Sequence, residues 1–322
     1  MSEKITTILV PAADTYVTEG GGNIEDPSRI LATIPNVRLL TFEPNTPLPG
    51  GASDVEILVT GGSVHPPMIA GFPGSLPNLR MIQTLSAGVN NWLGHVPDGV
   101  ILCNARGAHG GATSEWAATA LLTIFRDFPR YILAQPRHEW ARIRSEGLHD
   151  KRVLIVGAGD LANQLKRKLV AFDAIVTLVG RTAREGVHSF DDLPGLLPRQ
   201  DAVVLMVPQT TTTTHLVDAA FLARMEDHAV LINAARGPIV DTNALLAELT
   251  SGRLRAGLDV TNPEPLPADH PLWDLPNVLI TPHVGGATDG GDTRSWTVAR
   301  EQVTQFLAGQ RPSNAFAPED LG

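Results

Sequence analysis

Three side chains suited to anion binding and proton transfer stand just beyond strand-like runs in the second half of the chain. Arg236, Glu264 and His283 each follow a short apolar segment that indicates a buried strand. Because the carboxyl ends of parallel strands border the ligand crevice of an open α/β sheet, we expect the three side chains to converge. A guanidinium can hold a carboxylate by two hydrogen bonds, and an imidazole beside a carboxylate can move a proton. The spacing therefore predicts an active site.

A glycine-rich loop lies between a strand-like run, Val153–Val156, and a helix-like stretch at residues 163–172. Its sequence, Gly-Ala-Gly-Asp-Leu-Ala, has the G-x-G-x-x-A pattern of a dinucleotide-binding turn in the expected strand–turn–helix context. The first glycine permits a tight turn, the second lets a pyrophosphate approach the backbone, and the final alanine allows close helix packing. N–H groups at the helix start would bind the phosphates. The predicted cofactor-binding residues here are Gly157, Gly159, Asp160, Leu161 and Ala162; an ordinary connection is the alternative.

The end of the next predicted strand, Ile175–Val179, bears on the choice of cofactor. NAD enzymes usually carry Asp or Glu at this point to bind the ribose 2′-OH. This chain carries Arg181 and Arg184 instead, and guanidinium groups suit a 2′-phosphate. The sequence therefore favours NADP(H), with NAD(H) possible. For Arg184, a solvent-exposed charge without a role is the plain alternative.

Apolar runs that alternate with helix-like stretches must position these residues. Most of the runs are continuously apolar, which is typical of parallel strands covered on both faces, and the alternation predicts a doubly wound α/β architecture. The predicted strands are Ile5–Val10, Val55–Thr60, Leu79–Thr84, Val153–Val156, Ile175–Val179, Ala202–Val207, Ala229–Ile232 and Val278–Thr281. Longer helices are predicted at Ala112–Phe128 and Thr293–Gly309.

Composition narrows the class of protein. A chain of 322 residues predicts about two domains. The net charge of −9 disfavours nucleic acid and anionic membranes as main partners. The chain has no apolar run long enough for a membrane span or a signal-peptide core, and its single Cys103 cannot form an internal disulfide. No Cys/His cluster has zinc spacing. We therefore expect a soluble, cytoplasmic protein without a metal site.

The order and spacing of these motifs resemble the D-isomer-specific 2-hydroxyacid dehydrogenase family, and within it most closely the glyoxylate/hydroxypyruvate reductase branch. The resemblance runs from about Leu79 to Gly291. The sequence of residues 259–267 and the Gly180-Arg181 pair suggest this branch. The matching segments are Ser86–Asn90, Gly157–Ala162, Val207–Thr213, Asn233–Gly237, Gly257–Val260, Pro263–Pro265 and Pro282–His283.

The resemblance implies a fold of two doubly wound domains. A Rossmann nucleotide-binding domain, residues 102–289, would be inserted into a flavodoxin-like substrate-binding domain formed by residues 1–101 and 290–322. It also implies a homodimer built through the nucleotide-binding domain. The apolar helix predicted at Ala112–Phe128 would suit that interface.

The resemblance further implies that a small 2-oxoacid is reduced to the D-2-hydroxyacid. Arg236 would bind the carboxylate and the carbonyl oxygen, and the backbone N–H groups of Ala87, Gly88 and Val89 would hold the same carboxylate. His283 would be the general acid, and Glu264 would keep its imidazole charged. The implied cofactor contacts beyond the glycine-rich loop and the two arginines are Pro208, Thr213, Ala234, Asp259 and His283.

Other functions remain open at this stage. The same family includes corepressors that use the dinucleotide to control assembly, and it includes phosphoglycerate-type dehydrogenases. Formate oxidation is disfavoured, because that branch carries Gln where this chain has Glu264. Two departures from the family pattern, Asn90-Asn91 and Asn163-Gln164, leave the identity of the substrate undecided.

Overall fold

Two parallel β-sheets organise the chain, one in each of two units. The structure is a computed structural model, and it describes residues 4–12, 27–61 and 64–316. Among these residues, the first unit runs to His109 and resumes at Asp289, and the second unit is Gly110–Thr288. The second unit is therefore inserted into the sequence of the first.

Strands and α-helices are numbered in chain order. The strands are β1 (Thr6–Pro11), β2 (Val37–Phe42), β3 (Val55–Thr60), β4 (Met81–Thr84), β5 (Ile101–Cys103), β6 (Arg152–Val156), β7 (Ile175–Gly180), β8 (His188–Ser189), β9 (Ala202–Leu205), β10 (Val230–Asn233), β11 (Arg255–Leu258) and β12 (Val278–Ile280). The α-helices are α1 (Gly110–Phe125), α2 (Phe128–Ala134), α3 (Asp160–Val170), α4 (Leu193–Leu196), α5 (Ala219–Leu222), α6 (Thr242–Thr250) and α7 (Gly291–Leu307). Short 3-10 helices are Pro27–Thr33, Ala52–Asp54, Pro66–Met68, Asn90–Trp92, Gln135–Arg137, Phe190–Asp192, Gly237–Ile239 and Pro271–Asp274.

The first unit has a five-stranded sheet in the order β2-β1-β3-β4-β5, with all neighbours parallel. This is the flavodoxin-like order that the sequence predicts. Alternate residues of β1 enter opposite cores: Ile8 packs in the cluster that includes Trp296 of α7, and Leu9 packs in the cluster that includes Trp92. Both faces of the sheet are therefore covered, which explains the continuous apolar runs.

The first domain boundary needs a correction. The sequence places it after residue 101, whereas the structure divides the chain after His109. The reason is that β5 pairs in parallel with β4 and so completes the first sheet. The nucleotide-binding and substrate-binding roles of the two units remain predictions.

The second unit has a seven-stranded sheet in the order β8-β7-β6-β9-β10-β11-β12. Counted from β6, this is the Rossmann order 3-2-1-4-5-6 with one further strand, as predicted. One core contains Leu154 and Leu245, and the opposite core contains Ile155 and Leu121, so helices cover both faces. The strand order reverses between β6 and β9. Ligands of such folds bind at that switch point, at the carboxyl ends of the strands.

The eight predicted strands are all present, with ends that differ by no more than two residues from the prediction. The helix predicted at residues 112–128 corresponds to α1, which ends at Phe125, and a second helix, α2, begins at Phe128. The break occurs because Asp127 adopts a left-handed conformation with φ of 56° and Pro129 begins a new helical turn. Among the helices of the described residues, none combines the length and the apolar character required to cross a bilayer.

Candidate active site

His283 and Glu264 form a close pair at the carboxyl edge of the second sheet. His283 lies three residues beyond β12, in a left-handed conformation with φ of 54°. Its Nδ1 atom is 2.6 Å from Oε1 of Glu264. The side chains are 45% and 41% exposed, so a small molecule can reach both. The pair that the sequence predicts is therefore assembled within one unit.

Asp259 supports the loop that carries His283. This buried residue follows β11, and its Oδ1 accepts hydrogen bonds from Thr281 Oγ1 at 2.7 Å and from the Val284 N–H at 2.9 Å. Its Oδ2 accepts from the Gly285 N–H at 2.8 Å. A side chain at position 285 would crowd that carboxylate, so the glycine is required for this close approach. Asp259 thus fixes the backbone on both sides of the histidine.

Arg236 follows β10 in a turn shaped by Asn233. The Asn233 Nδ2 donates to the Arg236 carbonyl oxygen at 3.0 Å, and Oδ1 accepts from the Ala235 N–H at 3.1 Å. Burial lowers the pKa of Arg236, and the negative charges of Glu264 and Asp259 oppose that shift. A guanidinium pKa lies so far above neutrality that the side chain stays a cation. The site therefore combines a fixed positive charge with an imidazole–carboxylate pair.

Gly237 joins the Arg236 turn to the loop of Glu264. A Cβ atom at Gly237 would overlap the backbone of Thr261, so only glycine permits this contact. Thr242 Oγ1 also donates to the Asn262 carbonyl oxygen at 2.8 Å. No role was predicted from the sequence for Gly237 or Asn233. Their signal was available, since Asn and Gly next to a predicted catalytic arginine are typical turn residues.

The glycine-rich loop has the geometry of a phosphate cradle. Gly157 has φ of 133°, and a Cβ atom there would overlap the Met206 carbonyl oxygen. A Cβ atom at Gly159 would meet nothing within 4 Å, so the backbone is open on that side. Ala162 is fully buried, as close helix packing requires. The Asn163 N–H donates to the Gly159 carbonyl oxygen at 3.1 Å as the first backbone bond of α3, so the N–H groups of residues 160–162 have no partner within the helix.

The side chain of Asp160 is engaged within the protein. Its Oδ1 accepts from Gln164 Nε2 at 3.0 Å, and its carboxylate lies against Gly110 at the start of α1. Only the backbone N–H of this residue is therefore a candidate phosphate contact.

Arg181 and Arg184 are both exposed after β7, but they differ in their contacts. Arg184 Nη2 donates to the Ala158 carbonyl oxygen, within the glycine-rich loop, at 2.8 Å. Arg184 and Val187 also pair through their backbones in a tight turn. Arg184 is thus a structural partner of the glycine-rich loop rather than only a solvated charge, and Arg181 is exposed at the end of β7.

The threonine-rich segment after β9 is an ordered turn. Thr213 is buried, and its Oγ1 donates to the Pro208 carbonyl oxygen at 2.7 Å and accepts from the Thr210 N–H at 2.8 Å. Ala234, also buried, follows the neighbouring strand β10 and donates to the Leu205 carbonyl oxygen at 3.4 Å. Pro208, Thr213 and Ala234 therefore follow the carboxyl ends of the adjacent strands β9 and β10, and their contact with a cofactor stays a prediction.

The predicted substrate-binding residues 87–89 lie in the first unit, after β4. We call Ser86–Val89 the 86–89 loop. Its four carbonyl oxygens all accept hydrogen bonds, as described below, whereas the N–H groups of Ala87, Gly88 and Val89 donate to no other residue in the described part of the chain. Val89 is itself buried. Successive unpaired N–H groups form an anion-binding turn.

Comparison with known proteins identifies the family. The family model described as "D-isomer specific 2-hydroxyacid dehydrogenase, NAD binding domain" matches residues 118–285, just over half of the chain. The chain belongs to the D-isomer specific 2-hydroxyacid dehydrogenase family. This confirms the family that the motifs suggest, and it makes the chain a member of an oxidoreductase family.

The chain is also similar in sequence to individual family members with different names. Glyoxylate/hydroxypyruvate reductase B of Citrobacter koseri is 32% identical over 312 residues, which cover 91% of this chain and 93% of the reductase. D-3-phosphoglycerate dehydrogenase of Methanocaldococcus jannaschii is 30% identical over 303 residues, which cover 90% of this chain. The match spans only 57% of that dehydrogenase.

A solved family structure matches both units. The D-isomer specific 2-hydroxyacid dehydrogenase from Xanthobacter autotrophicus Py2, in complex with NADPH and MES, is 28% identical with a TM-score of 0.80. The match covers 98% of this chain and all of the other, 100%. The fold of the whole chain is therefore the family fold.

Proposed function

We propose that this protein is an NADPH-dependent reductase of small 2-oxoacids, with glyoxylate and hydroxypyruvate as the leading substrates and a D-2-hydroxyacid as the product. The observation that carries the proposal is the 2.6 Å contact between His283 Nδ1 and Glu264 Oε1, with the Arg236 cation in the same electrostatic environment. A carboxylate-bearing substrate needs such a cation, and reduction of its carbonyl needs a proton donor.

The cofactor proposal rests on the glycine-rich loop and on the arginines after β7. The open backbone at Gly159 and the helix start at Asp160 suit a pyrophosphate. Arg181 suits a 2′-phosphate, and Arg184 stabilises the loop by donating to the Ala158 carbonyl oxygen. The Xanthobacter relative was crystallised with NADPH. When bound, the reduced nicotinamide supplies the hydride; Pro208, Thr213, Ala234 and Asp259 are the further proposed cofactor contacts.

The chain's own residues supply substrate binding and the proton. Arg236 binds the substrate carboxylate and the carbonyl oxygen by charge-assisted hydrogen bonds. The 86–89 loop, whose N–H groups at residues 87–89 have no acceptor among the described residues, is a second proposed carboxylate-binding element. His283 gives a proton from Nε2 to the carbonyl oxygen as that oxygen gains negative charge, and Glu264 holds the opposite ring nitrogen and so orients the ring.

A kinetic panel tests the proposal. NADPH and NADH oxidation would be measured in parallel with glyoxylate, hydroxypyruvate, pyruvate and 3-phosphohydroxypyruvate. We expect turnover with a short, unphosphorylated 2-oxoacid and a preference for NADPH. Preference for the phosphorylated substrate would favour a phosphoglycerate-type activity, and binding of NADPH without any turnover would favour the corepressor-like alternative. A clear preference for NADH would reject the role of Arg181 while leaving the reaction class intact.

We also propose that the protein forms a homodimer through the second unit. The sequence points to the helix at residues 112–128, but α1 buries Ala117, Leu121 and Phe125 within its own unit. The exposed apolar surface lies just beyond it: Ile132 and Leu133 of α2 are 62% and 61% exposed, and Trp140 is 92% exposed. Sedimentation velocity of the protein and of the Ile132→Glu variant tests this; a monomeric parent would reject the dimer. Cytoplasmic location stays a prediction.

A further inference from the structure

We propose that Asn104 is a positioning residue for the 86–89 loop, and that Asn314 and Gln302 hold Asn104 in place. The inference rests on the proposed substrate-binding role of that loop. It adds a line of buried amide side chains that connects α7 and the segment after it to the backbone that would bind the substrate carboxylate.

The backbone of the 86–89 loop is held by hydrogen bonds to its carbonyl groups, and the buried Val89 side chain packs in the core. The Ser86 carbonyl oxygen accepts from Thr84 Oγ1 at 2.9 Å and from the Ala105 N–H at 2.9 Å. The Gly88 carbonyl oxygen accepts from Ser86 Oγ at 2.7 Å, and the Val89 carbonyl oxygen accepts from the Trp92 N–H at 2.8 Å. Because every carbonyl is engaged, the orientation of each peptide plane is set and the N–H groups are left for a ligand.

Asn104 supplies the bond that orients the central peptide of the loop. Its Nδ2 atom donates to the Ala87 carbonyl oxygen at 2.7 Å. That carbonyl belongs to the same peptide plane as the Gly88 N–H, so the bond turns this N–H to the opposite side. The amide of Asn104 is itself satisfied, since its Oδ1 accepts from the Arg106 N–H at 3.1 Å, and the residue is only 7% exposed.

Asn314 fixes the backbone of Asn104 from the other end of the sequence. Its Nδ2 donates to the Asn104 carbonyl oxygen at 3.1 Å and to the Arg106 carbonyl oxygen at 3.0 Å. Gln302, on α7, in turn accepts from the Asn314 N–H at 2.7 Å through Oε1, and it is 2% exposed. Three buried amides therefore link α7 to the Ala87 carbonyl in one connected network, in which each member depends on the next.

An amide is the side chain that this position requires. Ala at position 104 would remove the donor and leave the Ala87 peptide free to rotate. Asp would be nearly the same size, but it would remove the donor and place a negative charge beside the proposed anion site. Asp is therefore the more damaging change if the loop binds a carboxylate, whereas a purely structural role would make no such distinction in substrate affinity.

The test measures KM for the 2-oxoacid, KM for NADPH and kcat for Asn104→Ala, Asn104→Asp and a matched control. The control is Asn78→Ala, an exposed asparagine of the same unit whose Nδ2 donates to the Ser53 carbonyl oxygen at 2.8 Å. For Asn104→Ala we expect KM for the 2-oxoacid to rise about tenfold, the scale of one hydrogen bond to a charged group. Asn104→Asp should raise it further, and KM for NADPH should change by less than about twofold in both. The control should leave all three constants unchanged.

If Asn104→Ala does not fold, Asn314→Ala tests the same network. Asn314→Ala should raise KM for the 2-oxoacid by about threefold, and the double variant should be no worse than Asn104→Ala alone, because both act through one network. A folded Asn104→Ala protein with the parental KM would overturn the inference while leaving the proposed function standing. If the parent reduces no 2-oxoacid, the proposed function fails. Backbone amide chemical shifts of residues 87–89, measured by NMR, then decide the positioning role, and unchanged shifts in Asn104→Ala would reject it.

Discussion

The imidazole of His283 is held at Nδ1 by Oε1 of Glu264 at a distance of 2.6 Å, while the backbone N–H of the same histidine donates to the Asp259 carbonyl oxygen at 2.7 Å. When Glu264 is ionised, its oxygen only accepts hydrogen bonds, so Nδ1 is then the donor and Nε2 is the nitrogen left for a substrate. The two acidic residues thus have different roles: Glu264 orients the ring, and Asp259 orients the loop that carries it.

Replacement of Glu264 by Gln should weaken proton donation without removing the histidine. We expect kcat to fall by about tenfold to a hundredfold, because a neutral amide at position 264 holds the ring less firmly than a carboxylate does. The measurement is kcat with saturating 2-oxoacid and NADPH. The control is Glu139→Gln, which breaks an exposed ion pair with Arg137 and should leave kcat unchanged. Equal kcat values for Glu264→Gln and the parent protein would refute the role of Glu264.

Replacement of Asp259 by Asn should displace the His283 loop. An amide keeps only one acceptor oxygen, so at least one of the three bonds from residues 281–285 is lost. We expect the free energy of unfolding to fall by about 1–3 kcal/mol and kcat to fall by at least about tenfold. Asp218→Asn is the matched control, because this carboxylate caps α5 by accepting from the Phe221 N–H at 2.8 Å. It should preserve kcat and change stability little, because an amide oxygen caps a helix about as well as a carboxylate; equal kcat in both variants would contradict the prediction.

Replacing each of the two arginines after β7 should have a different effect on cofactor binding. Arg181→Ala should raise KM for NADPH by about tenfold and leave KM for NADH unchanged, because only the 2′-phosphate is affected. Arg184→Ala should raise both constants, since it removes the 2.8 Å bond to the Ala158 carbonyl oxygen in the glycine-rich loop. Initial rates with each cofactor give the four constants. An equal effect of Arg181→Ala on NADPH and NADH would argue against 2′-phosphate recognition.

Glu56 should make the first unit sensitive to acid. Burial raises the pKa of Glu56, but the hydrogen bonds and charges of Lys4 and Arg80 outweigh burial and hold this pKa below its usual 4.5. A lowered carboxyl pKa contributes stability above the usual value, and this contribution is lost as the pH falls through the lowered pKa. Glu56→Gln should therefore be less stable than the parent at neutral pH and lose less stability on further acidification below about pH 4.5. Urea unfolding at several pH values tests this, and parallel stability curves would contradict it.

Local patterns were sufficient to predict the parts of the site that are continuous in sequence. The glycine-rich loop, β6 and α3 form one uninterrupted segment, so the strand run, the glycines and the helix can be found together. By contrast, β2 is a half-buried edge strand that mixes Arg38 and Thr41 with apolar residues, and the predicted strands did not include it. The break at Asp127 was missed because nothing in the apolar spacing marks a left-handed residue.

The other features of the structure could not be predicted because they depend on contacts between residues that are distant in sequence. Asn104 and Asn314 are separated by 210 positions, and neither belongs to a periodic pattern that would indicate its partner. Similarly, the requirement for Gly237 arises from the backbone of Thr261, on a loop that follows a different strand. Such requirements follow from the order of the strands, so they become visible only when the sheet is assembled.

The most direct test of the account is the behaviour of His283→Gln. NADPH binding would be measured by fluorescence titration, and NADPH oxidation would be measured with the 2-oxoacid that the parent protein reduces. We predict an unchanged Kd for NADPH and a loss of turnover of at least about a hundredfold, since the general acid is removed and the phosphate-binding loop is not. Parental turnover by a variant that still binds NADPH would contradict the assignment of His283 as the proton donor, and with it the proposed mechanism.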